Sequence, residues 1–293
     1  MKRDNALVHK FCLLGQNDMA EKVGLTEEGN SLLELRSDCA VGAAGSTLEL
    51  PEDGLIYKRI KRLGQWELEE SKFLAGELKK LKQNEIVRTA LVDIGANTGL
   101  ITLQAMNIAK TKNDIHLFEP VPRHASSIKR NLRELEKSNS ITIHNLALSD
   151  KQGSARIFIE GSNQGNASLF PSVVPYNNQK FVDIKLVNTE DYFSNGKISE
   201  YENYVIKSDT QGMDALILSK IPTSIWDKTV CALVEIWAIE EINDIHVFNL
   251  LEKWRNFRNL SWLPNSKKKV SLDELASFWL SRTGFYRNLY LRK

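Results

Sequence analysis

A glycine-rich turn between an apolar strand and a helix constrains the fold of this chain more than any other feature. The apolar run at residues 90–94 stops at Gly95, which predicts a buried strand that ends in a tight turn. A helix follows, because apolar residues then recur with helical spacing over residues 100–106. Gly95 and Gly99 allow a ligand to approach the backbone, and the N–H groups at the start of the helix favour a carboxylate or a phosphate. This segment therefore predicts the ligand-binding turn of an α/β sheet.

A second apolar strand, at residues 115–118, ends in Glu119. Glu119 follows the turn at close to the spacing of roughly 20 residues at which an acidic residue of a βαβ unit binds the ribose hydroxyls of a ligand. A dinucleotide-binding turn has the pattern G-x-G-x-x-G, but Asn97 and Leu100 stand at its second and third glycine positions here. NAD and FAD are therefore disfavoured. S-adenosylmethionine, which has a ribose but no pyrophosphate, is the cofactor that this pattern favours.

Composition narrows the class of protein further. The chain has 39 basic and 37 acidic residues and a net charge of +2, so it lacks the concentrated positive charge that is typical of nucleic-acid binding. Its 3 cysteines are too few and too scattered for a disulfide framework or a zinc cluster, which indicates a reducing compartment. No leader or membrane span is evident. We expect a cytoplasmic protein whose partner is a small-molecule or glycan acceptor, and which could form a homo-oligomer.

The order of elements predicts an α/β fold. Strands and helices alternate from residue 90, which indicates a mostly parallel sheet with helices on both faces, and the third core strand is predicted at residues 141–147. Residues 153–188 interrupt the alternation and predict a β insertion between the third and fourth core strands. Residues 1–85 are interpreted as an N-terminal cap or dimerisation segment, and residues 86–293 as the cofactor-binding domain. The first 60 residues show little periodicity.

Carboxylates stand at or near the predicted ends of several core strands. Ligands of an open parallel sheet bind outside these ends, so each carboxylate is a candidate site residue. Asp93 could order the turn or reach the ligand's ammonium group, although a purely structural cap is almost as well supported. Asp209 could face the sulfonium or the acceptor, with a helix N-cap as its alternative role. Glu235 is predicted to project into the same cleft as Asp209.

Two carboxylates in one cleft allow two kinds of chemistry. They could bind a hard cation such as Mg²⁺, or one of them could act as the general base that deprotonates a hydroxyl group. Asp209 and Glu235 supply only two candidate ligands for a metal ion. The 5 histidines of the chain do not have the spacing of metal-binding histidines. A divalent metal is therefore the weaker of the two hypotheses.

Six segments in order resemble the FkbM-type family of S-adenosylmethionine-dependent methyltransferases. They are VDIGANTG at 92–99, FEP at 118–120, NLALSD at 145–150, GNASL at 165–169, IKSDTQG at 206–212 and LVE at 233–235. A lead-in, GQWE at 64–67, also looks like the family, so the resemblance runs from about residue 60 to about residue 240. It implies the class I methyltransferase fold, with a Rossmann-like sheet, bound S-adenosylmethionine, and methylation of a hydroxyl on a sugar, a polysaccharide or a natural product.

The resemblance also assigns roles to individual residues. Those at the methionine end of the cofactor would be Gly95, Asn97 and Gly99, with Glu119 at the ribose, Ala147 near the adenine and Asp209 near the transferred methyl group. Those that border the acceptor would be Asn166, Ser168 and Gln211. Gln211 departs from the family, because many relatives have glutamate at this position and glutamine cannot act as a base.

Two other functions remain open from the sequence. The Gln211 departure, together with the unmatched N-terminal region, is compatible with a module that binds S-adenosylmethionine without catalysis as part of a larger assembly. An NAD-dependent oxidoreductase is the weaker alternative, because the turn lacks two of the three glycines that a dinucleotide requires.

Overall fold

The computed structural model describes residues 18–27, 29–51, 54–81, 87–160, 167–174, 179–263 and 268–293. Its strands are β1 Ala20–Leu25, β2 Ser31–Leu35, β3 Thr47–Leu50, β4 Thr89–Ile94, β5 Asp114–Phe118, β6 Ser140–His144, β7 Ala147–Ser149, β8 Gly153–Glu160, β9 Ala167–Ser168, β10 Gln179–Asn188, β11 Asn203–Ser208, β12 Thr229–Trp237, β13 Asn259–Trp262 and β14 Tyr286–Arg292. Its helices are α1 Leu55–Leu63, α2 Leu68–Leu81, α3 Leu100–Ala109, α4 Pro122–Asn131, α5 Thr189–Asn195, α6 Asp214–Lys220, α7 Thr223–Trp226, α8 Asp244–Lys253 and α9 Leu272–Trp279.

A seven-stranded sheet in the order β13-β14-β12-β11-β4-β5-β6 forms the centre of the fold. The strands from β12 to β6 are parallel, and β14 runs antiparallel to both β12 and β13. Strand order reverses between β4 and β11, where Ile94 pairs with Ser208. The predicted fold class is confirmed: a Rossmann-like, mostly parallel sheet with a β insertion after its third core strand.

Each face of this sheet has its own hydrophobic core, because successive side chains of a strand point to opposite faces. Val92 packs into a cluster that includes Trp226 and Trp254. Its neighbour Leu91 packs into a second cluster with Leu74 of α2 and Leu103 of α3. Both faces of the central strands are therefore covered, as parallel sheets require.

The insertion forms a separate four-stranded sheet in the order β7-β10-β8-β9. The predicted third core strand at residues 141–147 was too long, because β6 ends at His144 and Ala147 begins β7. A tight turn separates them, in which the Leu146 N–H donates to the His144 carbonyl at 2.9 Å. Ala147 then pairs with Leu186 of β10, so the chain changes sheets at this point.

The N-terminal region is more ordered than its weak periodicity indicated. Strands β1, β2 and β3 form an antiparallel sheet, and their Leu33 and Leu48 share a hydrophobic core with Leu103 of the α/β region. Buried hydrogen bonds add to this contact, since the Glu49 N–H donates to the Asn131 side chain at 2.6 Å. The division of the chain at residue 85 stays a prediction.

Only part of the apolar surface of α8 is buried. Ile245 and Phe248 are 63% and 53% exposed, whereas Val247, Leu250 and Leu251 are buried. The helix carries two overlapping apolar stripes, and packing against the rest of the fold selects the second.

Among the described residues, no helix is both long and apolar enough to cross a membrane.

Candidate functional site

The turn after β4 has a backbone conformation that its glycines make possible. Gly95, Asn97 and Gly99 have φ angles of 76°, 53° and 78°. A Cβ atom on Gly95 would lie 1.9 Å from the carbonyl oxygen of Asp209, so no larger residue fits there without movement of the backbone. The turn therefore brings the end of β4 against the end of β11, where the sheet order reverses.

Glu119, at the end of β5, is tied to the same turn. Its carboxylate accepts the backbone N–H groups of Asn97 and Val121, both at 2.8 Å, and the residue is 5% exposed. A carboxylate has about four acceptor positions, so these two bonds leave room for further donors. Burial and the two backbone donors fix the orientation of the Glu119 carboxylate. A surface residue before Pro120 would not be held in this way.

A first cavity, with about 690 Å³ of empty space, lies beside this carboxylate. Six of the predicted site residues line it: Gly95, Asn97, Glu119, Ala147, Asp209 and Gln211. Much of the remaining wall is apolar: Ile94, Phe118, Leu146, Leu148, Ile157, Ala167, Leu169, Ile184, Met213 and Ile217. The first cavity thus combines one buried carboxylate with a largely apolar interior.

A second cavity, with about 910 Å³ of empty space, lies on the other side of the turn. It shares four wall residues with the first cavity: Gly95, Asn97, Asp209 and Gln211. The rest of its lining consists of Leu55, Ile56, Trp66, Glu67, Ala96, Thr98, Leu100, Ile101, Lys207, Glu235, Trp237 and Tyr286. The structure therefore brings Asp209 and Glu235 to one cleft, at the boundary between two cavities.

Gln211 connects the two candidate catalytic carboxylates. Its side-chain N–H₂ group donates to Asp209 Oδ1 at 2.7 Å and to Glu235 Oε2 at 2.8 Å. The indole N–H of Trp237 also donates to Glu235 Oε2, at 2.5 Å. Burial, together with the charge and the hydrogen bond of Asp209, raises the pKa of Glu235 well above its ordinary value. Glu235 is thus protonated at a pH where an exposed glutamate is charged.

The cluster does not fit a cation held between Asp209 and Glu235. The amide N–H₂ group of Gln211 bridges these carboxylates, and a metal ion requires oxygen lone pairs rather than N–H donors in its coordination shell. Over the described ranges, no group of three or more histidine, cysteine, aspartate or glutamate residues could hold a metal ion.

Asp93 lines neither of the two cavities, and its carboxylate is engaged inside the sheet. It lies 3.0 Å from the Lys207 ammonium and accepts a hydrogen bond from the Thr102 hydroxyl at 2.7 Å. Lys207 also donates to the Gly95 carbonyl at 2.8 Å. Burial alone would lower the pKa of Lys207, but the negative charges of Asp93, Asp209 and Glu67 together outweigh it and raise that pKa. Asp93 therefore supports the turn through Lys207.

Three other predicted site residues remain, and two of them, Gly99 and Ser168, lie away from the walls of both cavities. Gly99 begins α3 and faces Leu132, which a Cβ atom at Gly99 would approach to 2.8 Å. Ser168 is fully buried, and its hydroxyl donates to the Gln211 carbonyl at 2.7 Å. Asn166 lies outside the described residues. Ser168 thus holds the Gln211 backbone rather than bordering the acceptor side.

Several residues of the second cavity were not predicted as site residues from the sequence. Glu67 and Trp66 come from the segment before α2, and Tyr286 comes from the beginning of β14. The rings of Trp237 and Tyr286 stack with centroids 4.8 Å apart. The GQWE lead-in at residues 64–67 was the available signal for the first two. Tyr286 lies too far along the chain for any local pattern to connect it with the turn.

No family model and no curated protein matches the chain. Among solved structures, it is similar to methyltransferase FkbM from Methylobacillus flagellatus KT, at 16% identity and a TM-score of 0.41, over 71% of this chain and 46% of that one. It is similar to the bifunctional kinase-methyltransferase WbdD, at 9% identity and a TM-score of 0.44, over 80% of this chain and 41% of that one. A third similar structure is an S-adenosylmethionine-dependent methyltransferase from Agrobacterium tumefaciens, at 9% identity and a TM-score of 0.41, over 94% of this chain and 77% of that one.

The chain thus spans less than half the length of the first two of these proteins. A methyltransferase FkbM is among the solved structures to which the chain is similar. Folds of this kind host many chemistries, and function is therefore inferred from the geometry of the site.

Proposed function

We propose that this protein is an S-adenosylmethionine-dependent methyltransferase that methylates a hydroxyl oxygen of a sugar, a polysaccharide or a hydroxylated natural product. One observation carries the proposal: two cavities meet at a shared wall formed by Gly95, Asn97, Asp209 and Gln211. One cavity suits a nucleoside and the other suits a polar acceptor. Such an arrangement is what transfer of a group between two bound molecules requires.

The first cavity has the residues that S-adenosylmethionine would need. Glu119 retains acceptor positions for the ribose hydroxyls, and Phe118 and Leu148 offer an apolar surface to the adenine near Ala147. The backbone at Gly95 and Asn97 would border the methionine portion.

S-adenosylmethionine supplies an electrophilic methyl group on a positively charged sulfur when it is bound. The carboxylate of Asp209 lies on the shared wall, where its negative charge would stabilise a cation in the first cavity. Gln211 holds that carboxylate in place. Protonated Glu235 can donate a hydrogen bond toward the second cavity and so orient an acceptor hydroxyl.

The lining of the second cavity favours a saccharide over a less polar acceptor. Trp66, Trp237 and Tyr286 provide aromatic surface, while Asp209 and Glu235 provide polar groups. A sugar ring has an apolar C–H face and a rim of hydroxyl groups, which match these two kinds of wall. A cytoplasmic site of action belongs to the same proposal and is supported by cysteine usage alone.

A non-catalytic binding module is the second candidate, and one observation favours it. Gln211 donates to both candidate catalytic carboxylates, so neither has all of its acceptor positions available to an acceptor hydroxyl. Variants Asp209→Ala and Glu235→Ala distinguish the two candidates. If the parent transfers no methyl group and both variants keep its effect on the larger assembly, while Glu119→Ala loses cofactor binding and that effect, the binding module would be favoured.

The proposal is tested with methyl-labelled S-adenosylmethionine. The purified protein is incubated with a panel of methyl pyranosides, an oligosaccharide and a hydroxylated macrolactone, and products are separated by mass spectrometry. We expect a labelled methyl ether on a saccharide. Label on protein or nucleic acid alone would contradict the proposal, and thermal stabilisation by NAD but not by S-adenosylhomocysteine would favour an oxidoreductase.

A further inference from the structure

Glu67 occupies a position in the second cavity that its own backbone does not favour. It lies immediately before α2 and has a φ angle of 40°, in the left-handed region that non-glycine residues seldom adopt. Such conformations persist only where surrounding contacts impose them, and they concentrate at functional sites. Glu67 shares the cavity wall with Lys207, Asp209 and Glu235.

The contacts that impose this conformation come from α3. The side chain of the fully buried Gln104 donates to the Trp66 carbonyl, and its oxygen accepts the Trp66 N–H at 2.9 Å. Gln104 also donates to the Ser71 hydroxyl at 2.9 Å, and the Ser71 N–H donates to the Glu67 carbonyl at 3.2 Å. The peptide group before Glu67 is therefore fixed by α3 directly, and the peptide group after it is fixed by Ser71 of α2, which α3 in turn holds.

The Glu67 carboxylate is free to interact with a ligand, unlike the other two carboxylates of the cavity. Asp209 and Glu235 both accept hydrogen bonds from Gln211. Within the part of the chain that the structure describes, no side chain forms a hydrogen bond or an ion pair with the Glu67 carboxylate. Of the three, Glu67 is the carboxylate that can take up a proton without losing an existing partner.

The surroundings also adjust the acidity of Glu67. Burial raises the pKa of Glu67 to about 8, and the charges of Asp209 and Glu70 act in the same direction, while Lys207 and Arg59 oppose them. A general base is most effective when its pKa lies near the operating pH. An ordinary glutamate, with a pKa near 4.5, would be a much weaker base.

We propose that Glu67 accepts the proton of the acceptor hydroxyl, a role that rests on the proposed methyl transfer. In this step a lone pair of the hydroxyl oxygen forms the new O–C bond. The C–S bond breaks with its electron pair left on sulfur, which neutralises the sulfonium charge. The O–H proton passes to a Glu67 carboxylate oxygen and then to solvent, which reaches the exposed part of this mostly buried residue.

The first test measures the carboxyl group itself, and requires no acceptor. Glutamate side chains are labelled with ¹³C, and their NMR signals are followed with pH in the presence of S-adenosylhomocysteine. The signal that disappears in Glu67→Gln is assigned to Glu67, and we expect its midpoint near pH 8. A midpoint near 4.5 would overturn the role of Glu67. Glu69→Gln, an exposed change two residues away, serves as the control.

The second test measures catalysis with the saccharide that the labelling panel identifies. For the parent, kcat/KM should rise about tenfold per pH unit below pH 8. Glu67→Gln should lower kcat/KM by about 10²–10⁴-fold and abolish this slope, while KM and binding of S-adenosylhomocysteine stay within about twofold. Glu69→Gln should match the parent. Circular dichroism confirms folding, and Glu67→Asp gives an intermediate rate if the carboxylate matters.

The outcomes separate the two proposals. If the parent neither binds S-adenosylhomocysteine nor transfers a methyl group to any acceptor, the proposed function fails and the role of Glu67 fails with it. If the parent is active and Glu67→Gln keeps both the rate and the pH slope, the role of Glu67 alone is wrong.

Discussion

The two cavities at the carboxyl edge of the sheet are built from different parts of the chain. The first is enclosed by core strands and the inserted sheet, is largely apolar, and contains the buried carboxylate of Glu119, held by backbone N–H groups, in addition to the shared Asp209. The second is closed by the segment before α2 and by β14, and it contains Glu67, Asp209 and Glu235. The turn and Glu119 of the first cavity lie close together in the sequence, whereas the three carboxylates of the second cavity come from distant segments.

The two sides also differ in how they respond to pH. Behind the first cavity, His116 and His144 contact each other through ring nitrogens 3.1 Å apart, and burial lowers the pKa of His144 to about 4. Around the second cavity, burial raises the pKa of Glu67 and of Glu235. His144 therefore lowers the free energy of unfolding as pH falls from 6.5 toward 4, and Glu67 lowers it as pH rises from 4.5 toward 8.

The largest effect is expected at the shared wall. Gly95→Ala should lower the free energy of unfolding by about 3 kcal/mol or more, since the new Cβ would overlap the Asp209 carbonyl in addition to the strain of a positive φ. Gly45→Ala is the matched control, because Gly45 has a φ of 80° and nothing within 4 Å of its Cβ position. Urea unfolding of both variants measures the difference, and equal losses would contradict the steric account.

A smaller effect, confined to the first cavity, is expected for Glu119→Ala. Loss of two charge-assisted hydrogen bonds to the ribose should weaken binding of S-adenosylhomocysteine by about 100-fold or more. Isothermal titration calorimetry measures the affinity. Glu134→Ala, an exposed carboxylate change on the surface, should leave it unaltered. Unchanged binding in a folded Glu119→Ala would refute the ribose role.

For the second cavity, Glu235→Gln should increase stability while it reduces activity. The folded-state pKa of Glu235 lies above its unfolded value, so the parent loses stability as pH rises above about 4.5. Glutamine keeps an oxygen for Gln211 and Trp237 but does not ionise. We expect a gain of about 1–2 kcal/mol at pH 8 and little gain at pH 4, measured by urea unfolding. A loss of stability at pH 8 would contradict the prediction.

The smallest effect concerns the histidine pair. The folded-state pKa of His144 lies below the ordinary value of 6.5, so stability is present above pH 6.5 and falls as pH approaches 4. His144→Gln should reduce this acid-induced loss by less than about 1 kcal/mol, because the ring is only half-buried. Urea unfolding at pH 7.5 and pH 5 compares the slopes, and identical slopes would exclude His144 as a source.

Part of the first cavity was predictable, because the sequence patterns that specify its turn are contiguous. A run of apolar residues, a glycine turn and a helix lie within residues 90–106, and they appear in the structure as β4, the turn at Gly95 and α3. Glu119 follows from one spacing rule. Asp93 was ambiguous from the sequence, since its partner Lys207 lies on another strand and the sheet pairing alone brings the two together.

The second cavity was less predictable, because its geometry depends on tertiary packing. Asp209 and Glu235 could be placed at strand ends, but their bridge through Gln211 requires the left-handed conformation of that residue, with a φ of 52°. The position of Glu67 depends on Gln104, which has no sequence pattern that separates it from an ordinary buried helical residue. Long-range contacts of this kind leave no local signal.

The contact between Gln104 and Trp66 has a consequence for how this chain can change over evolution. Helix α3 begins at the cofactor turn and also fixes the segment that carries Glu67. Insertions or deletions within α3 would alter the separation between the two proposed ligands, whereas length changes in the exposed bend at residues 150–152 would leave it intact. We expect homologues to conserve the number of residues from Gly95 to Gln104 while the outer segments vary in length.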